Sequence, residues 1–404
     1  MLRERLESLE GRAQIAEVKK QRNRPTGWEP GVVWNGEAGT ITTDALFETP
    51  NEWAEILSAR GLDPELYEVV GDSIKWCSYD GWKRDEKNEK AYSAICYSFR
   101  ADIRRRTNKR VDLEGLYKEV RKAKPVKKVK TGDGTLVVAL SDWQLANGDF
   151  GGLEATIEAI AALPDLVVDR VKSLRGMGHE IGTICIAGLG DICENVCGFY
   201  SAQQFRTELD MREQTKMARR AVRDIVMAAA PQAESIKVLT VPSNHGEKRQ
   251  NGKAITRVGD NLDVEIFEQV AEILSANPDA YGHIQWRIPN DEIAIAVELS
   301  GHIVGFTHGH QAKGGAESVK TMGNWWAKQA YGRAYSGIAD ANILVHGHFH
   351  HLTVCEQEGR LLLGCPSLTQ VGEYWADQTG QKTAPGTLSF LLEPGSWSNL
   401  QVLK

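Results

Sequence analysis

A chain of 404 residues with 42% apolar and 25% charged residues has the composition of an ordinary globular protein, in two domains or one large one. Its formal net charge of −6 excludes a uniformly basic binder of polyanions, and no apolar run approaches the ~20 residues that span a bilayer. The N-terminal MLRERLESLEGRAQ is charged throughout and lacks the apolar core of a signal peptide. The seven cysteines are an odd count without paired spacing, and read as reduced thiols. Both features predict a cytoplasmic protein. The charge is unevenly spread: Phe99 to Lys130 holds 13 Lys or Arg against 4 Asp or Glu, a net of +9, which leaves −15 elsewhere. Such a run is either a solvated linker or a patch for an anionic partner.

Residues 1–24 predict a short charged helical arm with Leu2, Leu6 and Leu9 on one side, ended at Arg24-Pro25. Residues 25–48 are rich in Gly, Thr and Trp and predict short strands. Thr49-Pro50-Asn51-Glu52 combines an N-cap, a first-turn proline and a capping-box acid, so a helix is expected to about Arg60, stopped by Gly61. A second short helix is expected from Asp63-Pro64-Glu65. The alternating stretches Ser73–Tyr79 and Ala91–Ile103 predict a hairpin. Residues 25–124 therefore form a small α+β accessory domain, winged-helix-like in one reading, with Arg100, Arg104 and Arg105 as candidate nucleic-acid contacts. Trp76, Trp82, Tyr92 and Tyr97 would stack bases or build the domain's core. The basic stretch 125–134 is the expected linker.

From Thr135 the pattern becomes β-α alternation, and 135–404 is expected to be one α/β domain. Apolar strands TLVVALSD, TICIAGLGD, IKVLTVPSNH, HIVGFTHGH and ILVHGHFHH each end in residues with metal-ligand chemistry. These are Asp142 and Gln144, Asp191 and Glu194, Asn244 and His245, His308 and His310, and His346, His348 and His350. Sites in open α/β sheets lie beyond the carboxyl ends of strands. One Asp after a strand is commonly a turn residue; five successive strand ends offering O or N ligands predict a metal site. Helices are expected over roughly 152–176 and 201–230. Lys313 to Arg333 reads as a lid in which Trp325 and Lys328 reach substrate, and the C-terminal tail as a hairpin closing the second sheet.

Taken in order, these motifs resemble the calcineurin-like metallophosphoesterases, whose pattern is D-x-H, G-D-x-x-D/E, G-N-H-D/E, a single His, then G-H-x-H. The corresponding residues are Asp142-Trp-Gln144, Gly190-Asp191 with Glu194, Ser243-Asn244-His245-Gly246, His308, and Gly347-His348-Phe349-His350. The match spans about residues 136–370. The ILVHGHFHH stretch and the preceding Trp-bearing helix are further similar to members encoded by bacteriophages and prophages, which would place the protein in a host cytoplasm.

The resemblance implies two β-sheets sandwiched by helices, an αββα core. It implies one divalent metal held by Asp142, Gln144, Asp191 and His350 and a second held by Asp191, Asn244, His308 and His348, with a metal-activated water as nucleophile. His245 would protonate the leaving oxygen and Glu194 would orient it. Three positions depart from the pattern. Gln144 stands for a His, and its amide oxygen favours Mn²⁺ or Mg²⁺ over Zn²⁺; Mn²⁺ is the expected metal, with Mg²⁺, Fe or Zn²⁺ as alternatives. Ser243 stands for a Gly, and Gly246 for an acid, with Glu247 one residue late. The expected function is a two-metal phosphodiesterase, first of all a nuclease acting on DNA. Small diesters such as cyclic nucleotides, or a degenerate metal-binding scaffold, are the alternatives. The expected partners are nucleic acid and a second copy of the chain in a homo-oligomer, with no membrane.

Overall fold

The computed structural model describes residues 24–34, 38–47, 53–62, 64, 67–84, 91–105, 113–125, 132–148, 152–199, 203, 207–250, 252–313, 318–369 and 384–404. The expected N-terminal arm therefore lies outside the described residues. The chain divides into two compact units, Met1–Val111 and Asp112–Lys404.

The first unit is an antiparallel sheet built on one long strand. Its elements are β1 (Gly31–Trp34), β2 (Ala38–Thr42), α1 (Trp53–Ala59), β3 (Tyr67–Val69), β4 (Lys75–Arg84) and β5 (Ala91–Arg105). β5 pairs with β2 along one edge and with β3 and β4 along the other. The expected hairpin is β4–β5, embedded in a five-stranded sheet. Ile41, Leu57, Ala101 and Ile103 form the core beneath α1. Among the described residues α1 is the unit's one α-helix, and the second helix expected at 63–65 falls largely outside them. Trp76 is 61% exposed and so is not a core residue. The side chains of Trp82 and Tyr92 are outside the described set.

The second unit begins earlier than the basic linker suggests. Helix α2 (Leu113–Lys122) belongs to it, because Val120 is fully buried in its core and Asn277 Nδ2 donates to the Val120 and Ala123 carbonyls. The order continues β6 (Gly134–Leu140), α3 (Gly152–Gly176), β7 (Ile181–Gly188), α4 (Met211–Ala229), β8 (Ser235–Thr240), β9 (Arg249–Gln250) and β10 (Lys253–Ala254). Then come α5 (Leu262–Ser275), α6 (Pro278–Tyr281), β11 (Ile284–Arg287), β12 (Ala294–Leu299), β13 (His302–Thr307), α7 (Ser318–Gly332) and α8 (Ser336–Asp340). The last elements are β14 (Ile343–His346), β15 (Thr353–Gln357), β16 (Arg360–Gly364), β17 (Thr387–Glu393) and β18 (Ser396–Leu403).

Two sheets organise this unit. One runs β11-β8-β7-β6-β17-β18, with the first four strands parallel; the other runs β12-β13-β14-β16-β15, with β13, β14 and β16 parallel. Their inner faces share one apolar core, to which Val137, Ala187, Leu239, Phe306, Val345, Leu363 and Phe390 contribute. Helices α3, α4 and α5 cover the outer face of the first sheet through residues such as Leu163, Val222 and Phe267. Helices α7 and α8 cover the second through Met322, Trp326 and Ile338. Strands buried on both faces read as continuous apolar runs, which is why β6, β7 and β14 are legible in the sequence.

Two expectations change. The C-terminal hairpin β17–β18 extends the first sheet, not the second, because β17 pairs antiparallel with β6 and is buried on both faces. Helix α4 starts at Met211 rather than near 201, where Asp210 caps Glu213 N–H and the Glu213 carboxylate answers to the cap's own N–H. No helix among the described residues is long and apolar enough to cross a membrane.

Asn277 also caps α6, with its side chain accepting from Ala280 N–H. Asn277→Ala removes three side-chain hydrogen bonds at once, those to the Val120 and Ala123 carbonyls and that from Ala280 N–H, and is expected to destabilise the second unit by about 1–3 kcal/mol, read as a lowered midpoint of thermal unfolding.

Candidate metal centre

The parallel strands β6, β7 and β8 end side by side, and so do β13 and β14 of the facing sheet. Five strand ends thus deliver their polar residues to one place. The loops after β6 and β7 stay locked together: Asp142 N–H donates to the Gly190 carbonyl, Gln144 N–H to Asp191, Leu145 N–H to Ile192 and Glu194 N–H to Leu145.

The backbone there is unusual. Asp142 (φ 52°), Gln144 (φ 42°), Asp191 (φ 51°), His348 (φ 70°) and His350 (φ 56°) all lie in the left-handed region. That conformation is uncommon for residues with a Cβ, and it clusters at functional sites. Each strand has to turn sharply so that consecutive side chains converge. Gly347 fits for a related reason: a Cβ on it would run into Ser141 Oγ and the Asp142 carboxylate.

The side chains converge in two groups. Ligand atoms of Asp191, His308 and His348 lie within 4.8 Å of one another, and so do those of Asp142, Asp191 and His350. Asp191 belongs to both. Its carboxylate is 3.3 Å from His308 Nε2 and accepts the His245 backbone N–H at 2.9 Å. Asp142 sits 3.3 Å from His350 Nε2 and accepts the His348 N–H on both oxygens at 3.1 Å. Asn244 Oδ1 is 2.8 Å from His308 Nε2, which adds it to the first group. Gln144 is brought beside Asp191 by its backbone bond.

The tautomer of His308 is fixed. Its Nδ1 donates to the Leu189 carbonyl at 2.7 Å, leaving Nε2 facing two oxygen acceptors, Asn244 Oδ1 and Asp191 Oδ2. Burial pulls the imidazole down, but the Asp191 and Asp142 carboxylates outweigh it and bring the pKa to about 9. A proton on Nε2 then satisfies both oxygens, and a divalent cation would do so equally well. His348 behaves oppositely: burial and the neighbouring His308 charge lower it to about 3, so it presents a neutral imidazole. Burial raises Asp191, yet the His308 and His245 charges hold it well below the usual carboxylate range. Two buried carboxylates, an amide oxygen and three imidazoles turned inward form a donor set that fits two divalent ions sharing Asp191.

His245 lies at the rim. Its Nδ1 donates to the Glu194 carbonyl oxygen at 2.8 Å, whereas the Glu194 carboxylate is 3.6 Å away. The expected orienting contact is therefore made by the main chain of Glu194. Its buried side chain receives Asn147 Nδ2 at 3.2 Å. His245 Nε2 points inward, 3.9 Å from Asp191 Oδ2.

The remaining sequence candidates lie on other elements. Arg100 and Arg104 lie on β5 of the first unit, where Arg104 pairs with Glu68; the side chain of Arg105 is outside the described set. Trp326 is the buried member of its pair, bonding the Ile338 carbonyl, while Trp325 packs on Tyr335 and Lys328 is exposed. His346 is fully buried, and burial lowers it to about 4. His351 Nε2 meets Ser318 Oγ at 2.9 Å.

Sequence reasoning missed Asp263. This buried carboxylate on the first turn of α5 accepts the Asp191 and Ile192 N–H groups and the Ser243 hydroxyl. Burial and the Asp191 charge raise its pKa to about 6. Nothing in the text NLDVEIF marks it, since an acid there is the ordinary complement to a helix N-terminus. Ser243, a departure from the family pattern, is explained by this bond.

No protein-family model and no curated protein matches the chain. Among solved structures it is similar to Vps29 of Entamoeba histolytica complexed with Zn²⁺, at 13% identity over 67% of this chain and 99% of that one, with a TM-score of 0.31. It is also similar to a Streptococcus pneumoniae protein described as a predicted phosphoesterase, at 11% identity over 66% and 98% of the two chains, with a TM-score of 0.26. A third similarity is to an archaeal phosphodiesterase, at 11% identity over 66% and 99%, with a TM-score of 0.28.

Because His308 is protonated below about pH 9, loading the site must displace that proton. Metal affinity is expected to rise with pH from 6 toward 9, with proton release at pH 7. Calorimetric titration with Mn²⁺ in buffers of different ionisation enthalpy measures both.

Proposed function

We propose that the chain is a two-metal phosphodiesterase of the calcineurin-like kind, with DNA as its substrate class. One observation carries the first half: two ligand groups meet at a single shared carboxylate, Asp191. That is the arrangement required to hold two cations ~3.5–4 Å apart. The helical cover on the outer face of each sheet supports the four-layer reading of the fold.

In this reading Asp142, Gln144, Asp191 and His350 hold one ion, and Asp191, Asn244, His308 and His348 hold the other. When bound, the ions lower the pKa of water and neutralise charge on a phosphoryl group. Gln144 in place of an imidazole favours Mn²⁺. The Asp142 and Asp191 carboxylates accept main-chain N–H groups, and the Asp191 N–H is itself held by Asp263, so the ligands are set before metal arrives. His245 does proton work. With Nδ1–H committed to the Glu194 carbonyl, Nε2 is the nitrogen that gives its proton to the leaving oxygen as the P–O bond breaks. The imidazole is then neutral and is recharged from solvent.

The DNA assignment rests on the +9 segment Phe99–Lys130, which favours a polyanionic substrate over a small diester. The described part of that segment includes the exposed Arg104, Arg121 and Lys122.

His245→Ala is expected to keep its metal and lose turnover by roughly 10²–10⁴-fold, whereas Asp191→Ala loses both. Metal content by elemental analysis and cleavage of end-labelled single- and double-stranded DNA in Mn²⁺ read the two effects. Full activity in His245→Ala would remove the acid role. A metal-loaded protein that cleaves small diesters but no DNA would transfer the reading to small substrates.

A further inference from the structure

His245 is held at four points. Its N–H goes to Asp191, its carbonyl accepts Asn195 Nδ2 at 2.9 Å, and its Nδ1 goes to Glu194. The fourth is Phe199, whose ring lies flat on the imidazole, 4.4 Å between centroids and 5° from parallel. On Phe199 sits a guanidinium: Arg249 Cζ is 4.4 Å from the ring centroid. Arg249 is itself fixed, since its Nε donates to Glu247 Oε2 at 2.7 Å, and Glu247 Oε1 is 3.6 Å from His310 Nε2. The loop approaches closely to make this contact. Gly198 is at φ 104°, and a Cβ there would press on Arg249 Cβ at 3.0 Å.

The three backbone-linked contacts fix where the imidazole is, but a ring can still rock about the bond to its Cβ. A flat neighbour on the ring face narrows that motion further than the Nδ1 bond alone. Phe199 supplies the face, and a cation on the far side of Phe199 holds the ring itself in place.

We infer that Phe199 and Arg249 form a clamp that aims His245 Nε2 at the leaving oxygen: both are positioning residues acting through His245. The inference rests on the proton-donor role proposed for His245. The Glu247 that stands one residue late against the family pattern then has a purpose, because it anchors Arg249. A rocking imidazole misplaces its proton by a fraction of an ångström, and misplacement of that order costs one to two powers of ten in rate.

The test uses the full chain loaded with Mn²⁺, and two diesters: one with a nitrophenolate leaving group and one with an alkoxide. Phe199→Leu removes the flat face and keeps an apolar side chain of similar size. It is expected to lower kcat about tenfold on the alkoxide diester, with KM within about twofold and metal content unchanged. On the nitrophenyl diester, whose leaving group needs no proton, the loss shrinks to about twofold. Phe199→Tyr keeps the ring and stays within about twofold of the parent on both. In a His245→Ala background, Phe199→Leu and Arg249→Ala have no further effect, because nothing is left to aim. Equal losses with and without His245, or equal losses on both diesters, would overturn the clamp and leave Phe199 as packing. If His245→Ala loses turnover and Phe199→Leu does not, the clamp alone fails; if His245→Ala is fully active, the proton-donor role fails first.

Discussion

Everything at the centre depends on one buried carboxylate. Asp191 is 1% exposed and stands within ligand distance of imidazoles delivered by the other sheet. A buried charge is tolerated only where it is paired and hydrogen-bonded. Here the pairing comes from His308, the hydrogen bond from His245 N–H, and the position from Asp263, which holds the Asp191 and Ile192 N–H groups. Asp263 sits one layer behind Asp191, and Ser243 ties it to the β8 loop. The carboxylate is therefore fixed from three strands' worth of chain before any cation is considered.

This constraint explains the local backbone. Along an extended strand consecutive side chains point to opposite faces and residues two apart share a face, but a straight strand would carry the second member of such a pair about 6–7 Å away from the first. The left-handed turns at Asp142 and Gln144, and at His348 and His350, interrupt the extended backbone directly after the strands and keep the ligands from being drawn out along them. Such conformations cost of order 1–3 kcal/mol each and persist only where the surroundings over-determine them. The surroundings here are rigid: two sheets clamped over a fully buried core, with Gly347 allowing the His348 loop to lie directly on Ser141 and Asp142.

The rim is built differently from the centre. The ligands follow directly on strands, while His245, Phe199 and Arg249 grip one another through stacked rings and a guanidinium. A stack of flat groups resists rotation but permits small translation. That would suit the proton-donor role proposed for His245.

The strands and their polar ends were legible in the sequence because buried strands leave apolar runs, and β6, β7, β8 and β13 stop shortly before Asp142, Asp191, Asn244 and His308. The start of α4 was equally written, in the Asp210–Glu213 capping box, but was overridden by the amphipathic pattern upstream. What the sequence could not say is which sheet β17 joins, since a strand apolar on both faces fits the middle of either; pairing with β6 decided it. Nor could it show that α2 closes the second unit's core, because one buried Val120 and a bond from Asn277 are contacts between residues far apart in the chain. Asp263 and the Phe199–Arg249 stack were invisible for the same reason. Ligand types are chemical and can be read from the residues themselves, whereas the groups that hold those ligands in place are ordinary residues, distinguished only by what folding sets beside them.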